Sequence, residues 1–219
     1  MTERRRRVVI CDDSRTYAAG LKRFLERDPQ IEVVGVFASG EELLSRLPAL
    51  DPDLVTMDLE MPGMGGERAI AEIMRIRPLP ILVLSAFGGK ESERAAEALA
   101  AGALETMSKT ELSLRDPDSI WATALRGRVK RLASVRLRRA PARPPGPRPG
   151  PPAAFPARTA RAVGIGASTG GPPALLEVLR ELPADFQAPV FVVQHIAAGF
   201  LRGLVSWLDD RIPLPVRIA

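Results

Sequence analysis

The chain has 219 residues, 46% hydrophobic and 26% charged, with a formal net charge of +5 at pH 7, as is ordinary for a globular protein of one or two domains. No apolar run is long enough to span a bilayer, and the apolar stretch after the N-terminal RRRR is too short for a signal peptide. The single cysteine, Cys11, excludes an internal disulfide, so we expect a small buried thiol in a cytoplasmic protein.

The first part of the chain alternates between apolar, β-rich runs and helical patterns. The predicted strands cover residues 8–11, 31–37, 53–58, 80–86 and 103–108. The predicted helices cover residues 14–28, 39–47, 66–76, 91–102 and 119–137. Ser39 and Glu42 match a capping box, and Gly102 is placed to end a helix. Nearly continuous apolar strands joined by helices predict a doubly wound parallel sheet with helices on both faces.

Polar residues follow the predicted strands of this sheet: Asp12, Asp13, Asp58, Ser85 and Lys109. Because functional groups collect at the carboxyl ends of parallel strands, we expect these side chains to converge on one cleft. Three carboxylates repel one another unless a cation lies among them, and oxygen ligands suit Mg²⁺. A hydroxyl and an ammonium in the same cleft would bind phosphoryl oxygens. The alternative, that Asp13 or Ser14 only caps the first helix, explains one of these positions.

The motifs CDDS, MDLEMPGMGG, LSA and GALETMSK resemble the receiver domain of two-component response regulators over residues 6–128. This resemblance implies a flavodoxin-like (βα)5 fold in which Asp58 accepts a phosphoryl group from a histidine kinase. It also implies that Asp12 and Asp13 bind the metal ion, that Ser85 is the switch hydroxyl and that Lys109 contacts phosphate. Thr106 and Thr110 replace the family's usual aromatic residue and proline, so its aromatic-rotamer switch and a cis peptide after Lys109 are not carried over to this chain.

The positive charge is concentrated in residues 126–161, which contain eleven Lys or Arg and no acidic residue. Such a segment could bind nucleic acid, but it has no helix-turn-helix pattern. We expect a solvated helix end that continues into a linker, and no nucleic-acid partner. Within residues 141–156, eight of sixteen residues are proline, which predicts a semi-extended, polyproline-like spacer.

The stretch GIGASTGG, residues 164–171, lies between an apolar strand pattern and a helical pattern. A dinucleotide-binding loop is disfavoured because the glycine spacing is off by one and the next strand ends in Gln194-His195 rather than an acid. A P-loop is excluded because no Gly-Lys-Ser/Thr follows. Residues 166–170 form a literal G-x-S-x-G, which favours a sharp turn that presents Ser168 as a nucleophile.

The only histidine in the chain, His195, follows the next predicted strand. Since neighbouring parallel strands end at the same edge, a hydrogen bond between Ser168 and His195 is geometrically reasonable. The backbone N–H of Thr169, at the start of the following helix, could face a developing oxyanion.

The second block, with G-x-S-T-G-G-x-x-A-L and V-V-Q-H, resembles the start of the catalytic domain of chemotaxis-type protein-glutamate methylesterases. A receiver, a linker and this block follow the order found in that family, although Ala197 stands where proline is frequent. The resemblance implies that Ser168 is the nucleophile and His195 the general base, with no cofactor in the esterase half. The implied partners are a chemotaxis histidine kinase as phosphodonor and methylated chemoreceptors as substrates, through which alone the protein would approach the membrane.

The resemblance implies a receiver in residues 1–128, a basic proline-rich linker in 129–160, and the N-terminal portion of an incomplete parallel α/β, Rossmann-like catalytic domain in 161–219. The family's triad also needs a carboxylate far downstream of the histidine. The acids of the second block are expected on solvated faces: Glu177, Glu181, Asp185, Asp209 and Asp210. We therefore expect the 219-residue chain to be truncated and to have little esterase activity. The alternative is a non-catalytic receiver that only titrates phosphate.

Overall fold

The computed structural model describes residues 4–85, 89–109, 116, 119–137 and 161–219. In these ranges, no helix combines the length and apolar character needed to cross a bilayer. The proline-rich spacer predicted at 141–156, Thr110 and the peptide bond after Lys109 lie outside the described residues.

A five-stranded parallel sheet forms the larger part of the structure, in the order β2-β1-β3-β4-β5. Its strands are β1 Arg6–Cys11, β2 Ile31–Phe37, β3 Leu54–Met57, β4 Ile81–Ser85 and β5 Glu105–Ser108. The helices that accompany it are α1 Arg15–Leu25, α2 Gly40–Leu50, α3 Gly65–Ile76, α4 Gly89–Ala100 and α5 Ile120–Leu132. The predicted doubly wound, flavodoxin-like α/β fold is confirmed, with β1, β3 and β4 adjacent.

Side-chain contacts explain where α1 and α2 begin. Ser14, rather than Asp13, caps α1 by accepting a hydrogen bond from the Tyr17 amide. Ser39 caps α2 by accepting from the Glu42 amide, while the Glu42 carboxylate reaches back to the Ala38 amide. These contacts fix the turns that follow β1 and β2 at the functional edge of the sheet.

Two apolar layers cover the faces of the sheet. One contains Leu21, Leu25 and Leu125 from α1 and α5, and the other contains Ile70 and Ile73 from α3. Cys11 is buried in the second layer, as predicted from its place in a strand. Burial of this apolar surface is the main source of stability for the fold.

A second, two-stranded parallel sheet follows the undescribed segment. It consists of β6 Val163–Ala167 and β7 Val190–Gln194, with α6 Gly171–Arg180 between them and α7 Ala198–Asp209 after them. Ala167, the last residue of β6, pairs with Gln194, the last residue of β7. Ser168 and His195 therefore leave the sheet side by side.

Helix α7 packs against α4 and joins the two parts of the structure. A Cβ atom at Gly203 would overlap the backbone of Ser92, so the glycine permits close contact between these helices. Phe200 enters the apolar layer beside α3, where it is 1% exposed. Polar contacts flank this packing: Ser206 donates to Glu93 at 3.0 Å, and Arg211 to Glu97 at 3.3 Å.

Candidate functional sites

The first candidate site is an acidic cluster at the carboxyl edge of the five-stranded sheet. Asp12 and Asp13 follow β1 and Asp58 follows β3, and one carboxylate oxygen from each lies within 4.8 Å of the others. Asp12 is 3% and Asp58 5% exposed, whereas Asp13 is exposed. A donor set made only of carboxylate oxygens, with two of the three carboxylates buried, fits a hard divalent cation such as Mg²⁺.

Lys109 reaches this cluster from the end of β5. Its Nζ lies 2.8 Å from Asp12 Oδ2 and 2.7 Å from Asp58 Oδ2. It also lies 4.8 Å from the centre of the Tyr17 ring, which is a cation–π contact. The ammonium is thus positioned to neutralise charge on the buried carboxylates.

These contacts shift pKa values in opposing ways. Burial raises the pKa of Asp12 above its usual value, although the hydrogen bond and charge of Lys109 partly offset the rise. Burial alone would lower the pKa of Lys109, but its hydrogen bonds and charge interactions with Asp12 and Asp58 raise it overall. Lys109 therefore stays charged at physiological pH.

Ser85 closes β4 with a hydroxyl that has unused hydrogen-bonding capacity. The residue is 0% exposed, and its Oγ has no hydrogen-bond partner among the described residues. A buried hydroxyl without a partner costs free energy, about 1–3 kcal/mol. Binding of an additional acceptor, such as a phosphoryl oxygen, would recover part of that cost.

The second candidate site is the pair that leaves β6 and β7. Ser168 Oγ lies 3.4 Å from His195 Nδ1, and both residues are exposed. The His195 amide donates to the Ala167 carbonyl at 2.9 Å, which extends the ladder between the strands by one residue. A hydroxyl beside an imidazole is the arrangement that nucleophilic catalysis by serine requires.

Glycines shape the turn after Ser168. Gly170 has a φ of 76°, in the left-handed region that glycine adopts without strain. Helix α6 then begins at Gly171, whose amide donates to the Ser168 carbonyl at 2.8 Å. The Thr169 amide lies two residues before the first residue of α6, beside the positive end of that helix, where a developing negative charge is stabilised.

A cavity of about 90 Å³ lies between the Ser168–His195 pair and the first sheet. Glu105 and Thr106 of β5 line one side, and Ser168 and His195 line the other. Thr106, at the position discussed above for its missing aromatic ring, is 5% exposed and lines the same cavity as Ser168 and His195. The sequence pattern related Thr106 only to Lys109 and gave no sign of its place in this cavity.

Glu105 is a second residue that the sequence analysis missed. Its carboxylate accepts a hydrogen bond from Thr169 Oγ1 at 3.5 Å and pairs with Arg131 at 2.5 Å and Arg128 at 3.5 Å. Lys130 pairs with Asp28 at 2.7 Å. The basic end of α5 is therefore ion-paired rather than simply solvated. Glu105 is the only acidic residue in the motif GALETMSK, and a single acid within a predicted strand was the sequence signal that could have identified it.

The five acids of the second block are exposed. Glu177 and Glu181 have side chains that are 70% and 79% exposed and interact with Arg180. Asp185, Asp209 and Asp210 are also exposed. In the described part of the chain, none of these five acids is hydrogen-bonded to His195, which agrees with their expected place on solvated faces.

Comparisons with known proteins give two separate family matches, one for the part with the five-stranded sheet and one for the part with the two-stranded sheet. The response regulator receiver domain family matches residues 8–115, and the CheB methylesterase family matches residues 163–219. "Protein-glutamate methylesterase/protein-glutamine glutaminase 1" of Syntrophus aciditrophicus is 40% identical over 220 residues, which covers 97% of this chain and 63% of that protein. "Protein-glutamate methylesterase/protein-glutamine glutaminase 3" of Anaeromyxobacter dehalogenans is 41% identical, covering 97% of this chain and 62% of its own length.

Among solved structures, the response regulator domain of Thermotoga maritima CheB superposes with a TM-score of 0.53 at 28% identity. The match covers 61% of this chain and 100% of that domain. The chain spans less than two thirds of the length of the two curated relatives. A receiver match, a methylesterase match and relatives aligned across both parts lead to one conclusion: the chain belongs to the CheB-type family of protein-glutamate methylesterases with a receiver domain.

Proposed function

We propose that the protein is a phosphorylation-regulated methylesterase that hydrolyses glutamate methyl esters on chemoreceptors and deamidates receptor glutamines. The observation that carries this proposal is the placement of Ser168 Oγ 3.4 Å from His195 Nδ1, across a cavity from β5 of the receiver. In this proposal, the part with β6 and β7 hydrolyses the ester, and the receiver regulates the rate of hydrolysis.

In the esterase step, Ser168 Oγ attacks the ester carbonyl carbon while His195 takes its proton. The carbonyl oxygen becomes an oxyanion, to which the Thr169 amide donates a hydrogen bond. When the tetrahedral intermediate collapses, the C–O bond to the methoxy group breaks and His195 returns the proton, releasing methanol. Water then attacks the acyl-serine in the same way, which leaves a glutamate side chain and free Ser168. This step requires no cofactor.

In the receiver step, Asp58 accepts a phosphoryl group from the histidine kinase. Asp12, Asp13 and Asp58 would hold Mg²⁺, which offsets the negative charge of phosphate oxygens. Lys109 already contacts Asp58 at 2.7 Å and would pair with a phosphoryl oxygen. The Ser85 hydroxyl, which is buried and lacks a partner among the described residues, would donate to another phosphoryl oxygen.

Control of the esterase rests on the junction between the two parts. The α4–α7 packing joins the two parts, and a cavity of about 90 Å³ separates β5 from Ser168 and His195; we propose that this junction restricts the approach of a receptor segment to Ser168. Recruitment of Lys109 and Ser85 by a phosphoryl group would alter the ends of β4 and β5, which border α4. We propose that phosphorylation releases the junction and opens the site.

The assignment of regions follows from this proposal. We assign residues 1–128 to the receiver, residues 129–160 to the basic linker and residues 161–219 to the esterase part, with helix α5 continuing from the receiver across the first boundary to Leu132. We place the protein in the cytoplasm, where a kinase and the cytoplasmic portions of receptors are accessible. The activity is proposed for the protein made from the complete gene, since this chain spans 63% of the first relative's length.

Methanol release from methylated receptor membranes tests the proposed chemistry. The protein made from the complete gene should release methanol, and the Ser168→Ala variant should release none above background. A Ser45→Ala variant, which removes an exposed hydroxyl on α2 that donates to the Glu42 carbonyl, serves as the matched control. Equal release by the Ser168→Ala variant and the unaltered protein would contradict the proposal.

A further inference from the structure

Gln194 is the last residue of β7 and directly precedes His195. Its side-chain Nε2 donates to the Ser168 carbonyl at 2.9 Å and to the His195 carbonyl at 3.0 Å. Both facing atoms are acceptors, so only the NH₂ end of the amide can bind there. A single side chain therefore contacts the peptide groups of both members of the catalytic pair.

The contact with Ser168 also determines the direction of the next amide. The Ser168 carbonyl and the Thr169 N–H belong to the same peptide unit, in which a planar trans geometry directs C=O and N–H to opposite sides. The Ser168 carbonyl accepts from Gln194 and from the Gly171 amide at 2.9 Å and 2.8 Å. With its carbonyl held by two donors, this peptide cannot rotate without breaking both hydrogen bonds.

Stability alone does not account for this side chain. Gln194 Oε1 is buried and has no partner within the described ranges, which costs about 1–3 kcal/mol. The neighbouring turn is also shaped around it, because a Cβ atom at Gly171 would overlap Gln194 Oε1. The local structure thus accepts an unsatisfied oxygen and needs a glycine to keep the amide in place.

We propose that Gln194 is a positioning residue that fixes the Thr169 amide toward the oxyanion and holds Ser168 opposite His195. It acts through these neighbours and not by contact with the ester. The inference rests on the proposed esterase function and adds a residue that neither the triad pattern nor the G-x-S-x-G motif contains.

The test measures kcat and KM for p-nitrophenyl acetate and for methylated receptor, using the protein made from the complete gene. Gln194→Met keeps the length of the side chain and removes the donor, whereas Gln194→Glu keeps its shape and replaces the donor with an acceptor. Both should lower kcat by about tenfold or more and leave KM within about twofold, because loss of an oriented oxyanion donor acts on the transition state. Gly171→Ala should have the same effect, since it displaces an intact Gln194.

Gln187→Met is the matched control, because Gln187 is exposed and donates only to the Asp185 carbonyl among the described residues. It should retain the unaltered kcat. Thermal unfolding and Asp58 phosphorylation establish that each variant is folded. Unaltered kcat in folded Gln194→Met and Gln194→Glu, with an active parent protein, would overturn the inference and leave the proposed function intact. Equal changes in kcat and in the fraction of folded protein would also overturn it. An inactive parent protein would instead refute the proposed function.

Discussion

The carboxylate of Glu105, on the last strand of the receiver sheet, accepts a hydrogen bond from the hydroxyl of Thr169, the residue after the candidate nucleophile. The two oxygens lie 3.5 Å apart, and Arg128 and Arg131 hold the same carboxylate from α5. The side chain of Glu105 is 13% exposed whereas Thr169 is exposed, so this contact is only partly shielded from solvent. A strand of the receiver sheet and the turn after Ser168 are therefore linked by one hydrogen bond.

Glu105→Gln should raise the reactivity of Ser168 in the unphosphorylated protein by about two- to fivefold. The amide keeps the shape of the side chain but loses its charge pairing with partly exposed arginines, which is worth about 0.2–1 kcal/mol per pair. The measurement is the rate at which a fluorophosphonate probe labels Ser168. Glu72→Gln is the control, because Glu72 pairs with Arg75 on the exposed face of α3. An unchanged labelling rate in Glu105→Gln would show that this contact does not restrain the catalytic turn.

Gly203→Ala should open the junction between α4 and α7. The added methyl group meets the backbone of Ser92, which cannot move away as a flexible side chain would, and overpacking of this kind costs about 1–3 kcal/mol. Labelling of Ser168 without a phosphodonor should become severalfold faster. Gly127→Ala places the same methyl group on α5, where a Cβ meets nothing within 4 Å, and should leave the rate unchanged. Equal rates in both variants would contradict the proposed role of the junction.

Much of the fold was predictable from the sequence because each strand carries its own apolar run and each helix its own periodicity. The convergence of Asp12, Asp58 and Lys109 follows from topology, since parallel strands bring their carboxyl ends to one edge. Ser168 and His195 were placed by the same rule on the second sheet. These predictions depend on local sequence patterns and on one rule, that neighbouring parallel strands end at the same edge of a sheet.

The junction was not predictable in this way. From the sequence alone, Gly203 is only a residue with low helix propensity, and its reason becomes visible only where α4 packs against it. Phe200 fits the apolar face of its own helix, and the sequence does not indicate that it packs into the receiver core. Glu105 contacts Thr169, and Thr106 lines the cavity beside Ser168, only because of that packing. Contacts between separately folded layers depend on shape complementarity, which hydrophobic periodicity does not encode.

Lys109→Met should lower the free energy of unfolding at pH 7 by about 3 kcal/mol, because Asp12 and Asp58 would remain buried without a cation. The pKa of Lys109 is raised above 10.5, so its stabilising effect is fully present below pH 10.5 and is lost as pH rises through the folded-state value. The difference between the two proteins should therefore shrink above pH 10.5.

Urea unfolding at pH 7 and at a pH well above 10.5 provides this comparison. Lys22→Met, which alters an exposed lysine of α1, should match the unaltered protein at both values. A Lys109→Met difference of the same size at neutral and strongly alkaline pH would rule out the ammonium as its cause.

The central claim, that phosphorylation of Asp58 controls hydrolysis at Ser168, is tested most directly by methanol release from methylated receptor with and without a small-molecule phosphodonor and Mg²⁺. The protein made from the complete gene should release methanol at least severalfold faster with the phosphodonor, and Asp58→Asn should remain at the slow rate under both conditions. Asp185→Asn, which alters an exposed acid of the second block, should respond as the unaltered protein does. A phosphodonor response that persists in Asp58→Asn, or release that is equally fast with and without phosphodonor in the unaltered protein, would contradict the claim.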